Sequence, residues 1–145
     1  MKKSRTRSGR KYHRGRLWIE RRDAAFARAG DKCEVSGEPL SFVTKTCDTP
    51  PGVCVNPHHS KVIYRRAVDH VIPERAARRI FPSCDCHTPG NLLCVSSSIH
   101  ARKTSVEWKI FRGDYIGFVA ELRSIGYTQE IIDRALKALA ESVKK

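Results

Sequence analysis

No run of about 18 apolar residues occurs in these 145 residues, which excludes a membrane-spanning helix and predicts no membrane partner. The basic start has no hydrophobic stretch behind it, which predicts no secretory signal and a cytoplasmic, reducing location. In that setting six cysteines favour metal binding over disulfides. There is no internal repeat, so a solenoid is excluded. Acid is scarce as well. The chain has 15 Asp and Glu against 28 Lys and Arg, a net charge of +13, and its pI is near 9.9. Its length corresponds to about one domain with a modest core, too short for a two-lobed enzyme.

The positive charge is uneven. Residues 1–22 hold ten Lys and Arg and a single acid, Glu20, which leaves a net +4 for everything after them. Residues 1–16 are too charged and too poor in apolar side chains to fold alone, and read as a flexible arm. Its Lys2, Lys3, Arg5, Arg7, Arg10 and Lys11 would bind phosphates by displacing counterions, without reading base sequence. A solubilising tail is the alternative. His13 in the arm reads as a solvated residue.

From Leu17 to Ala29 the apolar spacing predicts a helix that stops at Gly30. Residues 33–40 read as a knuckle-like turn, and 47–60, rich in Pro, Gly and Asn, as a loop. Residues 62–71 carry β-branched and aromatic side chains and predict one strand. After an irregular stretch from Phe81 to Gly90, Leu92 to Val95 predicts the returning strand of a hairpin. Ser97 or Ser98 then caps a helix carrying His100, Lys103 and Thr104. Two apolar patterns at helical spacing, around Tyr115–Leu122 and Ile131–Val143, predict a helical hairpin turning at Gly126-Tyr127-Thr128. Trp18 and Trp108 lie beside helical patterns and read as core residues, with base stacking as the alternative.

The chemistry concentrates in Val68-Asp69-His70-Val71-Ile72-Pro73, Asn91 and His100-Ala101-Arg102-Lys103-Thr104. Phosphodiester hydrolysis needs a deprotonated water, a cation against the charge on phosphorus, and help for the leaving oxygen. Neighbours in a strand point to opposite faces, so Asp69 and His70 both serve only where the strand ends or bends, and Pro73 supports such an exit. His100, on a helix across the hairpin, would then meet Asp69 at one cation. His70 would stay metal-free, with a near-neutral pKa suited to a general base.

These residues resemble the HNH (ββα-metal) endonuclease family, from about Arg22 to Thr104. Residues 28–37 are similar to its entry segment, 68–73 to its first-strand motif, and Asn91 with 100–104 to its final turn and helix. The resemblance implies an α+β fold with a ββα-metal core at 17–112, preceded by the arm at 1–16 and followed by a helical extension at 113–145. It implies His70 as the base, Asp69 and His100 as ligands of a catalytic cation, and Asn91 as the residue bracing the loop and orienting the base. Arg102 and Lys103 would face phosphates. A third ligand histidine found in some members is Thr104 here. Two protein ligands completed by water and phosphate suit Mg²⁺ or Mn²⁺.

One family feature is broken. Many members hold a structural zinc on two Cys-x-x-Cys pairs, but here Cys33 is followed three residues on by Ser36. The second pair would fall at Ser96 and Ile99. The zinc site is therefore absent or moved. Candidates for a moved Zn²⁺ site are Cys47, Cys54, Cys84 and Cys86, with His58, His59 and His87 nearby. The alternative is reduced thiols, with Cys33 and Cys94 as plain core residues and His58 and His59 as an exposed loop pair. The function expected is a metal-dependent DNA endonuclease, monomer or homodimer, of a kind found in phages, mobile elements and restriction systems. The alternative is a catalytically silent, zinc-stabilised nucleic-acid-binding module.

Overall fold

A computed structural model describes residues 15–45 and 60–144. The arm with Lys2, Lys3, Arg5, Arg7, Arg10 and Lys11, and the segment with Cys47, Cys54, His58 and His59, lie outside the described residues. The architecture is mixed α+β, with two small antiparallel sheets and helices packed around them.

Helix α1 (Arg16–Ala29) turns Trp18 and Ala25 inward and stops at Gly30, whose φ of 64° is a conformation that side-chain-bearing residues rarely adopt. The chain then makes a tight turn in which the Cys33 N–H donates to Glu38 O at 2.8 Å and the Gly37 N–H to Cys33 O at 2.9 Å. Strands β1 (Ser41–Lys45) and β2 (Ser60–Tyr64) form one ladder. Strands β3 (Arg66–His70) and β4 (Leu92–Ser96) form another. The single strand expected over 62–71 is thus two strands in different sheets. They part at Arg65, whose N–H donates to Leu40 O at 2.8 Å outside both ladders.

Three elements had no clear sequence signature: β1, the short helix α2 (Glu74–Ile80) and the single turn α4 (Trp108–Phe111). For α2 the local start signal is nevertheless present, since Pro73 stands at the N-cap and Glu74 in the first turn. Helix α3 (Ser97–Thr104) is capped by Ser96, one residue before the expected serines, and the Ser96 hydroxyl accepts from the Ile99 N–H at 3.3 Å. Helices α5 (Tyr115–Ile125) and α6 (Gln129–Glu141) flank Gly126-Tyr127-Thr128, as the apolar spacing predicts.

Every residue of β4 is buried. Its Leu93, Cys94 and Val95 join Val71 and Ile72 in one hydrophobic cluster that also takes Phe118, Leu122, Tyr127, Ile132 and Leu139 from the C-terminal helices. Helix α3 packs on both β3 and β4, and α6 lies against a 3-10 turn at Pro89–Asn91. That approach is close: a Cβ at Gly90 would sit 2.6 Å from the Ala138 Cβ. The loop between β3 and β4 is therefore pinned from outside by α6. Among the described residues no helix is long and apolar enough to cross a membrane.

Candidate active site

Strand β3 ends at His70, and its register on β4 pairs Asp69 with Leu93 and His70 with Leu92. The pleat sends these two neighbours to different sides. Asp69 meets helix α3, where its Oδ2 lies 3.7 Å from His100 Nδ1 and 3.0 Å from Lys103 Nζ. The hairpin and the following helix thus bring Asp69 and His100 together.

Lys103 does not face phosphates. It is fully buried, and its ammonium is held between Asp69 and Glu107, the latter at 3.1 Å. The reason is its spacing on α3. Three residues after His100 it shares that residue's inward side, and four before Glu107 it gains a second carboxylate. A lysine buried this way needs both partners. Arg102, one residue earlier, is exposed. Thr104 is no ligand either: its hydroxyl donates to His100 O at 2.9 Å.

Burial alone would raise the Asp69 carboxyl, but His100 and Lys103 outweigh it and hold the group below its ordinary value. The Asp69 carboxylate in turn raises His100 against the opposing effect of burial. A proton on His100 balances the two carboxylates and the ammonium, and only its loss, which frees a nitrogen donor, leaves an uncompensated negative charge. His100 Nδ1 is buried and makes no hydrogen bond. An oxygen and a nitrogen donor facing each other at 3.7 Å, beside residual negative charge, fit a divalent cation.

His70 has different company. Trp18 stacks on its ring with centroids 5.5 Å apart and planes 15° apart, and also meets the His87 ring at 5.0 Å. His70 Nε2 lies 2.8 Å from His87 Nδ1, and His87 Nε2 lies 4.0 Å from Glu74 Oε1. Burial, with His87 adding to it, pushes His70 down to about 4 rather than the near-neutral value expected of a base. The imidazole is therefore neutral at physiological pH. Trp18 is in the core as expected, whereas Trp108 is exposed, flanked by Lys109 and Arg112 over its ring.

Asn91 is fully buried and spends its amide on the loop. Its Oδ1 accepts from the Ile72 N–H at 2.9 Å, and its Nδ2 donates to Ile72 O at 3.1 Å and Cys86 O at 3.0 Å. These bonds tie the exit of β3 to the segment that carries His87. Asn91 makes none of them to His70 itself.

The altered knuckle positions do come together. Cys33 Sγ accepts from the Ser36 and Ser96 N–H groups, each at 3.4 Å, so backbone donors surround a lone sulfur. Cys33 and Cys94 are buried core residues, and burial pushes the Cys94 thiol up to about 11. Cys84 and Cys86 are free thiols, raised by burial. Their proposed partners Cys47 and Cys54 lie outside the described residues. Among the described residues one group of three potential ligands assembles, and it is His70, Glu74 and His87. Sequence reasoning missed Glu74 altogether and attached His87 to the cysteines. The start of α2 at Pro73-Glu74 was the signal that would have placed an acid one turn from His70.

A scan of protein-family models, a search of curated proteins and a search of solved structures each returned no match.

Proposed function

We propose that this chain is an HNH-type endonuclease built on a ββα-metal core, hydrolysing DNA phosphodiester bonds with the help of a divalent cation. The observation that carries this reading is the meeting of Asp69 and His100 from separate elements, next to the neutral imidazole of His70 at the end of the same strand. His70 accepts a proton from the water that attacks phosphorus in line. Asp69 and His100 would hold the cation, Mg²⁺ or Mn²⁺ because water and phosphate would complete its shell. When bound it supplies positive charge against the charge developing on phosphorus and on the departing 3′ oxygen. Lys103 orients Asp69, and Asn91 keeps the loop in place. Arg102, exposed on α3, and the basic arm supply contacts to phosphate. The products are 5′-phosphate and 3′-hydroxyl ends. One site cuts one strand, so a monomer nicks, and double-strand cleavage needs a dimer or two encounters.

A second reading is a nucleic-acid-binding module without turnover. It is favoured by the Lys103 ammonium 3.0 Å from Asp69, which compensates that carboxylate without metal, and by the low pKa of His70, weak for a base. Incubating supercoiled plasmid with and without Mn²⁺ or Mg²⁺ separates the two. The nuclease reading expects metal-dependent open-circle DNA and a loss of roughly 10²–10⁴-fold in rate for His70→Ala, with affinity in a gel shift retained. Salt-sensitive binding without cleavage by the wild type, unchanged in His70→Ala, would leave the binding module.

A further inference from the structure

We infer that His70, His87 and Glu74 form a second cation site, selective for a borderline ion such as Zn²⁺ or Co²⁺, on the side of β3 away from the Asp69–His100 pair. Two imidazoles and one carboxylate with an open fourth position are a donor set that such ions take. Bonds of about 2.0–2.2 Å at a tetrahedral centre place neighbouring donors roughly 3.3 Å apart. His87 can offer only one ring nitrogen: its Nδ1 lies 2.8 Å from His70 Nε2, and its Nε2 lies 4.0 Å from Glu74 Oε1. All three donors can lie within 4.8 Å of one another. Modest side-chain rotation closes the set around an ion.

The surroundings suit such a site. His70 is the last residue of β3, and Glu74 opens α2. His87 is anchored by its own N–H donating to Asp85 Oδ1 at 3.1 Å, and Asp85 is ion-paired with Arg21. Asn91 holds the carbonyl of the preceding residue, Cys86. Arg78 grips the Glu74 carboxylate at 2.7 Å, the kind of outer contact that orients a metal-binding carboxylate. Trp18 walls the site on one side, while Glu74 and His87 remain 41% and 29% exposed, so an ion can enter. Bound through one ring nitrogen, a neutral His70 carries its proton on the other and has no lone pair left for water. Resting on the nuclease reading, it follows that the same imidazole serves either the ion or the reaction.

The site can be tested without any substrate. In a Trp108→Phe background Trp18 is the one indole present, and it lies against both imidazoles. Titration with Co²⁺ should quench its fluorescence, with Zn²⁺ competing. His87→Gln and Glu74→Gln should each weaken binding by at least about tenfold, the loss that even residues supporting a ligand produce. His100→Gln should bind as the parent does. Circular dichroism checks the fold of each variant, and Glu74→Gln, at a half-exposed position, decides if His87→Gln fails to fold. Absence of quenching, quenching that survives Glu74→Gln, or loss with His100→Gln would each overturn the proposal. Failure of plasmid cleavage would not bear on it.

Discussion

Asp69 and His70 are adjacent in the chain, yet the regions they enter share almost nothing. On the Asp69 side, carboxylates, a fully buried ammonium and a raised histidine form a charged network carried by α3. On the His70 side, two imidazoles and an indole stack with one carboxylate at the edge, and the histidine is pushed down to about 4. One strand end thus supports a histidine that prefers its proton and another that resists it. Side-chain identity does not cause the difference. Alternation along the strand does, by giving His70 an aromatic wall while Asp69 gives His100 a carboxylate.

The contrast breaks most severely at Lys103. Lys103→Ala leaves Asp69 and Glu107 without their shared cation, and should cost about 3–5 kcal/mol of stability in a urea melt, as removing one partner of a buried ion pair does. A loss below about 1 kcal/mol would mean that the network is solvated and that the charged side is not a buried site at all.

Acid separates the two histidines next. Unfolded His70 takes up a proton near its ordinary value of 6.5, whereas the folded group waits until about pH 4. Between those values the unfolded state binds more protons, so stability falls as pH falls, by on the order of 3 kcal/mol at the limit. His100 runs the other way. Its raised value contributes stability that is fully present below pH 6.5 and lost as pH rises through its folded pKa. Melts of His70→Gln should therefore lose the decline between pH 6.5 and 4, and melts of His100→Gln should not.

The remaining changes are smaller. Gly90→Ala drives a methyl into Ala138 and should cost roughly 1–3 kcal/mol, loosening the loop on the His70 side. Hydrogen exchange at Asn91 and Ile72 should quicken with it. Ser96→Ala removes the cap of α3 and should cost about 1 kcal/mol, on the side that carries His100. If either change disturbs both sides equally, the two regions are one cooperative unit.

Local signals in the chain were readable where the physics is local. The stop of α1 at Gly30, strand β4 and the α5–α6 pair follow from apolar spacing and a positive-φ residue. Three elements were not: α2 and α4 hold seven and four residues, too few for a helical period to declare itself, and β1, Ser41–Lys45, has only two apolar side chains where β4 has an unbroken run. The split at Arg65 was invisible for a related reason. An apolar run does not say which partner strand each half will choose. Lys103 was misread because a lysine in a basic helix looks solvated until its depth is known.

By itself the sequence determined the inventory: an excess of positive charge concentrated in residues 1–22, a broken cysteine pattern, and an Asp-His pair with Asn91 and His100 downstream. It also determined α1, β4, α5 and α6, since caps and periodicity act within a few residues. Tertiary structure alone decided which side chains meet. Asp69 reaches His100 and Lys103 because β3 pairs with β4 in one register and α3 crosses both strands, and a slip of one residue would turn Asp69 to the opposite face. His70 found Trp18, Glu74 and His87 because α1 and the 71–91 segment pack around the same strand end. Such contacts depend on how distant surfaces fit, and no local pattern encodes that fit.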